Sequence, residues 1–253
     1  MYAEERQQEI LRRARAAGRV DVVSLAGELD VTTETIRRDL TVLERAGVLR
    51  RVHGGAIPVE RMGFEPALAT RDEVMTAEKE RIAKAALAEL PEDGSVIIDA
   101  GSTTGRLVQI LPADRELTVV VNSPPLATVL ATRANLSVIM LGGRLRGRTL
   151  ATVDDWALRP LAQLHVDVAF MATNGCSVAK GLTTPDPAEA AIKRAMVTAA
   201  ERSVLLADHT KFTNTYLASF AELSEIDVVI TDTGLDLALA AELSGAGPEV
   251  VRA

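Results

Sequence analysis

The stretch that decides the fold of the amino-terminal part is TTETIRRDLTVLERAGVLRRVHGGAI, residues 32–57. Within it, Ile36, Leu40 and Leu43 recur at the spacing i, i+4 and i+7, which places three apolar side chains on one face of a helix. Gly47 ends this pattern, because glycine disfavours a continuing helix. The stretch therefore predicts an amphipathic helix with one face in a core.

Two shorter helical patterns precede this helix. Residues 4–17 repeat apolar side chains at helical spacing, and residues 23–29 form a second, brief helical stretch. The hydroxyl group of Thr32 or of Thr33 can then cap the third helix. Three helices with a tight turn before the last one form a helix-turn-helix, whose last helix presents its first residues to base edges in the DNA major groove.

A basic strand pattern follows the third helix. In residues 48–55, VLRRVHGG, short-strand alternation ends in a Gly-Gly turn, which predicts a β wing. Residues 1–57 hold ten arginines and nine acidic residues, a net charge of +1, whereas the rest of the chain has a charge of −8. An acidic protein can bind nucleic acid through such a segment, because phosphate neutralisation depends on local charge. Solvation of an exposed helix face explains the arginines as well, and periodicity alone leaves both interpretations open.

These motifs occur together in one known family. TIRRDL, residues 35–40, followed by RVHGGA, residues 51–56, resembles the amino-terminal domain of the DeoR family of bacterial transcriptional regulators. The resemblance implies a winged helix-turn-helix DNA-binding domain over residues 1–57. The base or phosphate contacts that it implies are Thr33, Thr35, Arg37 and Arg38, and the wing contacts are Arg50, Arg51 and His53.

The pattern changes beyond the first domain. Residues 58–75 contain two prolines and mixed charges without periodicity, and we interpret them as a linker. From residue 76 to residue 253, strand and helix signals alternate, which predicts a doubly wound α/β domain with a parallel sheet. The predicted strands are 95–98, 117–121, 137–141, 166–172, 203–207 and 227–230. The predicted helices are 76–90, 105–111, 126–133, 154–164, 188–201 and 235–243.

Polar or glycine residues follow these predicted strands, at the sheet edge where open α/β sheets bind their ligands. The strongest motif is DAGSTTG, residues 99–105, whose two glycines and three hydroxyl groups precede a helix and can cradle an anion such as phosphate. A capped helix start after a tight turn explains the same residues equally well. The stretch matches neither GxxxxGK nor GxGxxG, and no cofactor is predicted.

Two further motifs lie later in the chain. Residues 174–186, NGCSVAKGLTTPD, are predicted as a long glycine-bearing loop of the kind that often binds ligands. In the helix after it, Glu189 and Lys193 stand four residues apart, which predicts a surface ion pair. Asp208 and Lys211 follow another strand and are able to hold a sugar hydroxyl and a phosphate, or to form only a solvated turn.

The second domain resembles the sensor domain of the same family. The matching motifs, in order and spacing, are DAGSTT (99–104), VNS (121–123), LGG (141–143), GLTTPDPAEAAIKRAM (181–196) and ADHTKF (207–212). The resemblance implies a fold similar to ribose-5-phosphate isomerase and the coenzyme A transferases, and a response to phosphorylated sugars or related intermediates. The effector-binding residues that it implies are Asp99, Gly101, Ser102, Thr103, Thr104, Asn122, Gly142, Gly143, Gly181, Thr183, Asp208 and Lys211. Where the family often has a lysine directly after the strand-end aspartate, this chain has His209.

Composition limits the class of protein further, to a globular chain without disulfides or a metal site. The 253 residues are 47% hydrophobic, with a net charge of −7, which fits a globular chain of one or two domains. Without a long apolar run, and with a charged amino terminus, we expect no membrane contact and a cytoplasmic location. The single cysteine, Cys176, predicts no internal disulfide, and three scattered histidines predict no metal site.

The leading hypothesis is a repressor of a sugar-catabolic operon that binds double-stranded operator DNA. By resemblance, a phosphorylated sugar effector is expected to release it. A homodimer or homotetramer is expected, because helix-turn-helix proteins usually bind paired half-sites. The protein is not expected to be an enzyme. The alternatives are a sugar-phosphate isomerase or transferase with a DNA-binding head, using Asp99, Glu189, Asp208 and Lys211, and a constitutive DNA-binding protein whose second domain only oligomerises.

Overall fold

The chain forms two compact units, Met1–Pro66 and Ala67–Ala253. The computed structural model describes residues 3–17, 19–52, 54–58, 65–212 and 214–253. The first unit is mainly helical and the second is built on a parallel sheet, which confirms the predicted α/β class. His53, predicted in the wing, lies outside the described residues.

The amino-terminal unit is a winged helix-turn-helix. Its helices are α1 (Ala3–Ala17), α2 (Val22–Glu28) and α3 (Thr33–Arg45). Its strands are β1 (Val20–Asp21), β2 (Leu49–Val52) and β3 (Gly55–Pro58), in the antiparallel order β1-β3-β2. Ile36, Leu40 and Leu43 are buried in its core, as the spacing predicts. Strand β1 was not predicted, because two residues are too short to show an alternating pattern.

A glycine explains how closely the wing approaches the rest of this unit. A β-carbon on Gly55 would lie 2.0 Å from the carbonyl oxygen of Val20, so only glycine allows β3 to pair with β1 here. The Gly-Gly turn of the sequence therefore has a steric reason in addition to its turn chemistry.

The larger unit surrounds a seven-stranded sheet. Its helices are α4 (Leu68–Asp72), α5 (Thr76–Ala86), α6 (Ser102–Ile110), α7 (Pro124–Leu130), α8 (Asp155–Leu161), α9 (Pro187–Ala199) and α10 (Leu237–Gly245). The sheet strands are β4 (Gly94–Ile98), β5 (Leu117–Val121), β6 (Leu136–Met140), β9 (Val166–Met171), β12 (Ala200–Leu206), β14 (Val228–Thr231) and β15 (Glu249–Arg252). Their order is β15-β14-β12-β9-β4-β5-β6, and all neighbouring pairs are parallel.

The sheet separates two hydrophobic clusters. Along β4, Ile97 belongs to one cluster, whereas Val96 and Ile98 belong to the other, because successive side chains of a strand point to opposite faces. Both faces of the central strands are therefore buried, which explains their nearly continuous apolar sequences. The carboxyl ends of these strands form one edge, which carries most of the predicted effector residues.

The structure differs from the predictions in four further segments. The predicted loop 174–186 contains a β-hairpin, β10 (Gly175–Ser177) and β11 (Gly181–Thr184), which β13 (Ala218–Ala221) extends. Strands of three and four residues without alternation give no local signal, and β13 lies over thirty residues from β11. The predicted linker 58–75 contains α4, a helix of one and a half turns. A two-stranded sheet, β7 (Arg144–Leu145) with β8 (Thr152–Val153), and the edge strand β15 were not predicted.

Candidate functional sites

The start of α3 presents a polar surface with little internal bonding. Thr32 is the cap, since its hydroxyl accepts a hydrogen bond from the Thr35 amide at 3.2 Å and lies 2.9 Å from the Thr35 hydroxyl. Of the two capping residues that the sequence left open, the structure therefore selects Thr32. Thr33, predicted to contact DNA, is half-buried on the first turn of the helix.

The arginines of α3 are exposed. Arg37 lies 3.6 Å from Glu34, a pair that is open to solvent, and the Arg38 side chain makes no hydrogen bond or ion pair among the described residues. Asp39, the next residue, is buried and accepts hydrogen bonds from Arg6 at 2.6 Å and Gln7 at 3.0 Å. In TIRRDL the arginines thus face outward, while the aspartate fastens α3 to α1.

The wing continues this basic surface. Arg50 is exposed, and its side chain has no partner in the described part of the chain. Arg51 is also exposed, but its amide donates to Glu44 at 2.9 Å and its guanidinium lies 3.4 Å from the Thr41 hydroxyl. The two arginines therefore differ, because only the side chain of Arg51 contacts α3.

The anion cradle of the sequence lies at the amino end of α6, beside the carboxyl end of β4. Ser102 and Thr103 are more than nine-tenths buried, yet their hydroxyl groups have no hydrogen-bond partner among the described residues. The Thr104 hydroxyl donates to the carbonyl of Gly101 at 3.1 Å, so it shapes the turn. The first amides of a helix have no acceptor within that helix, so the hydroxyls and amides together offer donors to an anion.

Asn122 positions this cradle from the neighbouring strand. Its side-chain oxygen accepts a hydrogen bond from the Ala100 amide at 2.9 Å, and its carbonyl accepts from the Thr152 amide at 2.7 Å. The next residue, Ser123, is buried, and its hydroxyl has no hydrogen-bond partner among the described residues. Asn122 thus fixes the backbone, while Ser123 offers a polar atom that sequence analysis did not select.

Asp99 forms an ion pair with Lys193, which sequence analysis had placed in a surface pair with Glu189. The Lys193 ammonium donates to Asp99, and also to the Ala172 carbonyl at 2.9 Å, and it lies 5.5 Å from the centre of the Phe220 ring. The Ala172 amide donates to the same carboxylate at 3.0 Å. Burial raises the pKa of Asp99, and the nearby ammonium opposes that rise.

The predicted surface pair of Glu189 and Lys193 is wrong. Both side chains are buried, and Glu189 instead pairs with Arg146 at 2.6 Å and accepts a hydrogen bond from Thr149. Residues 189 and 193 lie on the apolar side of α9, with Ile192 and Met196 near them on that helix. A charged residue on the apolar face of a helix is the sequence signal that identifies a buried ionisable side chain.

A second buried lysine, Lys79, lies at the same edge. Its ammonium donates to the carbonyls of Arg71 and Val74. Burial lowers the pKa of Lys79 to about 8, with Asp208 raising it and Lys211 lowering it through their charges. These interactions place Lys79 within electrostatic reach of the two predicted effector residues. Like Lys193, it lies on an apolar face, that of α5, and was not predicted.

Asp208 and its neighbours end β12. One carboxylate oxygen of Asp208 accepts hydrogen bonds from Thr210, and the other has no hydrogen-bond partner among the described residues, although Lys211 lies 3.8 Å away. His209 is turned to β14, where its Nδ1 lies 2.8 Å from Asp232. Burial disfavours the Asp232 carboxylate, but the amides of His209 and Gly234 and the imidazole hold its pKa below the ordinary value.

Most of the remaining predicted effector residues have structural contacts. Gly143 has φ +129, and a β-carbon there would lie 2.3 Å from the Val153 carbonyl; Gly142 is exposed beside it. Gly181 has φ +61 at the hairpin turn, where a β-carbon would meet the Ala221 carbonyl at 2.2 Å. The Thr183 hydroxyl bonds to Gly175 and to the Tyr216 amide at 3.0 Å, within the hairpin layer. Their part in ligand binding stays a prediction.

A cavity of about 650 Å³ lies at the other end of the sheet. It is lined by the amino ends of β4, β5 and β6 and the turns before them, including Ser95, Thr118 and Asn135. None of the predicted effector residues lines it. We place the candidate site at the carboxyl edge instead, because the Ser123 hydroxyl and one Asp208 carboxylate oxygen lie there, buried and without a hydrogen-bond partner among the described residues.

The comparisons with known proteins match both units. A DeoR-like helix-turn-helix domain model matches residues 6–61, and a DeoR C terminal sensor domain model matches residues 74–233. The chain is 38% identical over 251 residues to the HTH-type transcriptional regulator GlpR of Haloferax volcanii, covering 99% of this chain and 98% of that protein. It is 30% identical over 249 residues to a putative aga operon transcriptional repressor of Escherichia coli O157:H7, covering 98% and 93%.

Solved structures include a more distant match. Ribose 5 phosphate isomerase A from Neisseria gonorrhoeae is 20% identical, with a TM-score of 0.40, over 58% of this chain and 56% of that one. No helix in the described ranges has the length and apolar character needed to cross a membrane.

Proposed function

Because the chain belongs to the DeoR family of DNA-binding transcriptional regulators, we propose that it represses a sugar-catabolic operon and that a phosphorylated sugar releases it from the operator. It acts in the cytoplasm, where chromosomal operators are accessible. The observation that carries the effector proposal is the cradle at α6. There Ser102 and Thr103 are more than nine-tenths buried as residues, and their hydroxyl groups make no hydrogen bond among the described residues.

The DNA contacts proposed are those of α3 and the wing. Arg38 and Arg50 support this, because both are exposed and lack side-chain partners in the described ranges. In an ordinary surface helix such arginines are often paired with acids, whereas here the charge is available to phosphates or to guanine edges. Thr33, Thr35, Arg37, Arg51 and His53 complete the proposed interface.

The effector proposal uses the carboxyl edge of the sheet. A phosphate group at the amino end of α6 would receive hydrogen bonds from the helix amides and from Ser102 and Thr103. The Asp208 oxygen that has no hydrogen-bond partner among the described residues would accept a hydrogen bond from a sugar hydroxyl, and Lys211, close to it, would balance the added charge. Asp99 and Asn122 hold this edge in place through Lys193 and the cradle backbone.

We propose a homodimer or homotetramer assembled through the larger unit. One small winged helix-turn-helix buries too little DNA surface for high specificity, and two copies contact paired half-sites. Sedimentation of the protein at micromolar concentration is expected to show at least a dimer. A monomer under those conditions would contradict this proposal.

Fluorescence anisotropy tests the function as a whole. The protein is titrated onto labelled DNA from its own upstream intergenic region, and a panel of sugar phosphates and their unphosphorylated parents is then added. We expect one phosphorylated sugar to release the DNA while its parent sugar does not. If the DNA binds but no compound changes the binding, the larger unit is an oligomerisation module or the effector class is wrong.

One observation favours an enzymatic alternative. Asp99 and Lys193 form a buried acid–base pair beside the proposed phosphate site, as a sugar-phosphate isomerase would require. We nevertheless propose that the protein is not an enzyme, because its full-length relatives are transcriptional regulators. Turnover of a sugar phosphate by preparations free of contaminating isomerase, lost on Asp99→Asn, would support the alternative instead.

A further inference from the structure

Arg106 is the cation nearest to the cradle along α6. It follows Ser102 by four residues, so the two side chains lie on the same face of the helix, one turn apart. Side chains of an α-helix lean toward its amino terminus, so the Arg106 side chain extends toward the end at which Ser102 lies. No motif of the sequence selected this residue.

The guanidinium of Arg106 is only partly bonded. Its Nη2 donates to the carbonyl of Asp72 at 3.1 Å and lies 3.1 Å from the Asp72 carboxylate. Its Nε is buried and has no hydrogen-bond partner among the described residues. A buried guanidinium donor without an acceptor is costly, and it marks a position where a further acceptor would be stabilised.

Asp72 belongs to the segment that leads into the larger unit. This lead-in segment, residues 67–75, contains α4 and directly follows the boundary between the two units. It is also held by Lys79, which donates to two of its carbonyls, and by the Leu68 amide, which donates to the Arg148 carbonyl at 2.8 Å. Arg106 is one helical turn from Ser102, which lies at the carboxyl edge, so the Arg106–Asp72 pair lies close to that edge.

We propose that Arg106 is a ligand-binding residue that exchanges Asp72 for the phosphate of the effector. The unbonded hydroxyls of Ser102 and Thr103 attract the anion to the end of α6, and Arg106 supplies the positive charge that those neutral groups lack. A phosphate dianion competes better for the guanidinium than one half-exposed carboxylate does. The exchange releases the lead-in segment from α6, and effector binding thereby alters the chain that joins the two units.

This inference rests on the proposed effector site. It predicts that two variants change the phosphate affinity in opposite directions. Asp72→Asn removes the competing carboxylate and is expected to tighten phosphate binding by about two- to five-fold, the effect of an ion pair of this exposure. Arg106→Gln removes the charged donor and is expected to weaken phosphate binding by about ten-fold or more. A purely structural pair would give losses of stability in both variants and no such opposition.

The test is calorimetric titration of the full-length protein with inorganic phosphate, at constant ionic strength. Arg133→Gln is the matched control, because Arg133 donates to the carbonyls of Gln109 and Leu111 at the other end of α6. Its phosphate affinity is expected to equal that of the wild type. If Arg106→Gln does not fold, the tightening in Asp72→Asn still decides the matter.

Hydrogen exchange supplies the second readout. Phosphate is expected to speed amide exchange in residues 67–75 of the wild type, whereas Arg106→Gln exchanges rapidly with or without it. Wild-type phosphate binding that both variants leave unchanged would overturn the role of Arg106 alone. A wild type that binds neither phosphate nor any sugar phosphate, while still binding its operator, would overturn the effector site and this inference with it.

Discussion

The two polar surfaces of this regulator are built in opposite ways. On α3 and the wing, Arg38 and Arg50 are exposed and their side chains have no partners in the described ranges. At the carboxyl edge of the sheet, Asp99, Lys193 and Lys79 are buried and already bonded within the protein. A surface for a large polyanion can thus be added to a fold at little energetic cost, whereas a site for a small ligand is part of the core.

The largest expected effect is a loss of stability when the buried ion pair at the carboxyl edge is broken. Lys193→Met leaves the Asp99 carboxylate buried without its cation and should lower the free energy of unfolding of the larger unit by about 3–5 kcal/mol. Denaturant unfolding measures it. The double variant Asp99→Asn/Lys193→Met removes both charges and should recover most of the loss, because the remaining side chains no longer bury an unpaired charge. A single variant as stable as the wild type would contradict the buried pair.

The second prediction concerns the exposed surface. Arg38→Ala should reduce operator binding to the non-specific level, because each base contact contributes about 1–3 kcal/mol and a dimer loses two. Stability should stay within about 0.5 kcal/mol of the wild type, since the side chain has no partner among the described residues. Anisotropy and thermal unfolding measure the two quantities. Unchanged operator affinity would remove Arg38 from the interface.

Asp39→Ala, at the next residue, is the comparison variant for Arg38→Ala. It removes the buried partner of Arg6 and Gln7, so here the main expected change is a loss of stability in the amino-terminal unit. If Arg38→Ala and Asp39→Ala produced the same pattern of stability and operator affinity, the division of TIRRDL into outward and inward residues would be wrong.

The third prediction is a pH dependence of the larger unit above pH 8. The pKa of Lys79 is lowered to about 8 by burial, so between that pH and the ordinary lysine range the unfolded chain binds more protons than the fold does. Stability should therefore rise with pH across this window, by at most about 1.4 kcal/mol per pH unit. Below pH 8 the penalty of the buried charge is fully present. Unfolding curves across this range should show a flatter slope for Lys79→Met, and an identical slope would contradict the shift.

The smallest expected effect lies at the start of α3. Thr32→Ala removes the hydroxyl that caps the helix and should cost about 1 kcal/mol, whereas Thr33→Ala should cost less than about 0.5 kcal/mol. Thermal unfolding of the two variants compares them directly. Equal losses would mean that the cap contributes nothing beyond helix propensity.

Local patterns explain which parts of the fold were predictable. The helices of the amino-terminal unit and six of the seven sheet strands follow from apolar spacing, because a helix or a buried strand shows its period within a few residues. The hairpin β10–β11 was missed because its strands are only three and four residues long and show no alternation, and β13, which extends it, lies more than thirty residues away. Strand β15, at the sheet edge, is only partly buried and shows little alternation.

The site was less predictable than the fold, for a physical reason. The sequence places Asp99 and the cradle correctly at one strand end, because polar residues follow apolar runs there. Lys193 lies 94 residues from Asp99, and the spacing to Glu189 suggested a surface pair instead. Its position on the apolar face of α9 was the informative signal, and the same signal identifies Lys79 on α5.

The most direct test of the account compares the wild type with Ser102→Ala/Thr103→Val in the operator anisotropy experiment. Both proteins should bind the intergenic DNA equally well, because the changes lie outside the DNA-binding unit. The sugar phosphate that releases the wild type should fail to release the variant, or should require at least about ten-fold more compound. Release of both proteins at the same concentration would contradict an effector site at the end of α6.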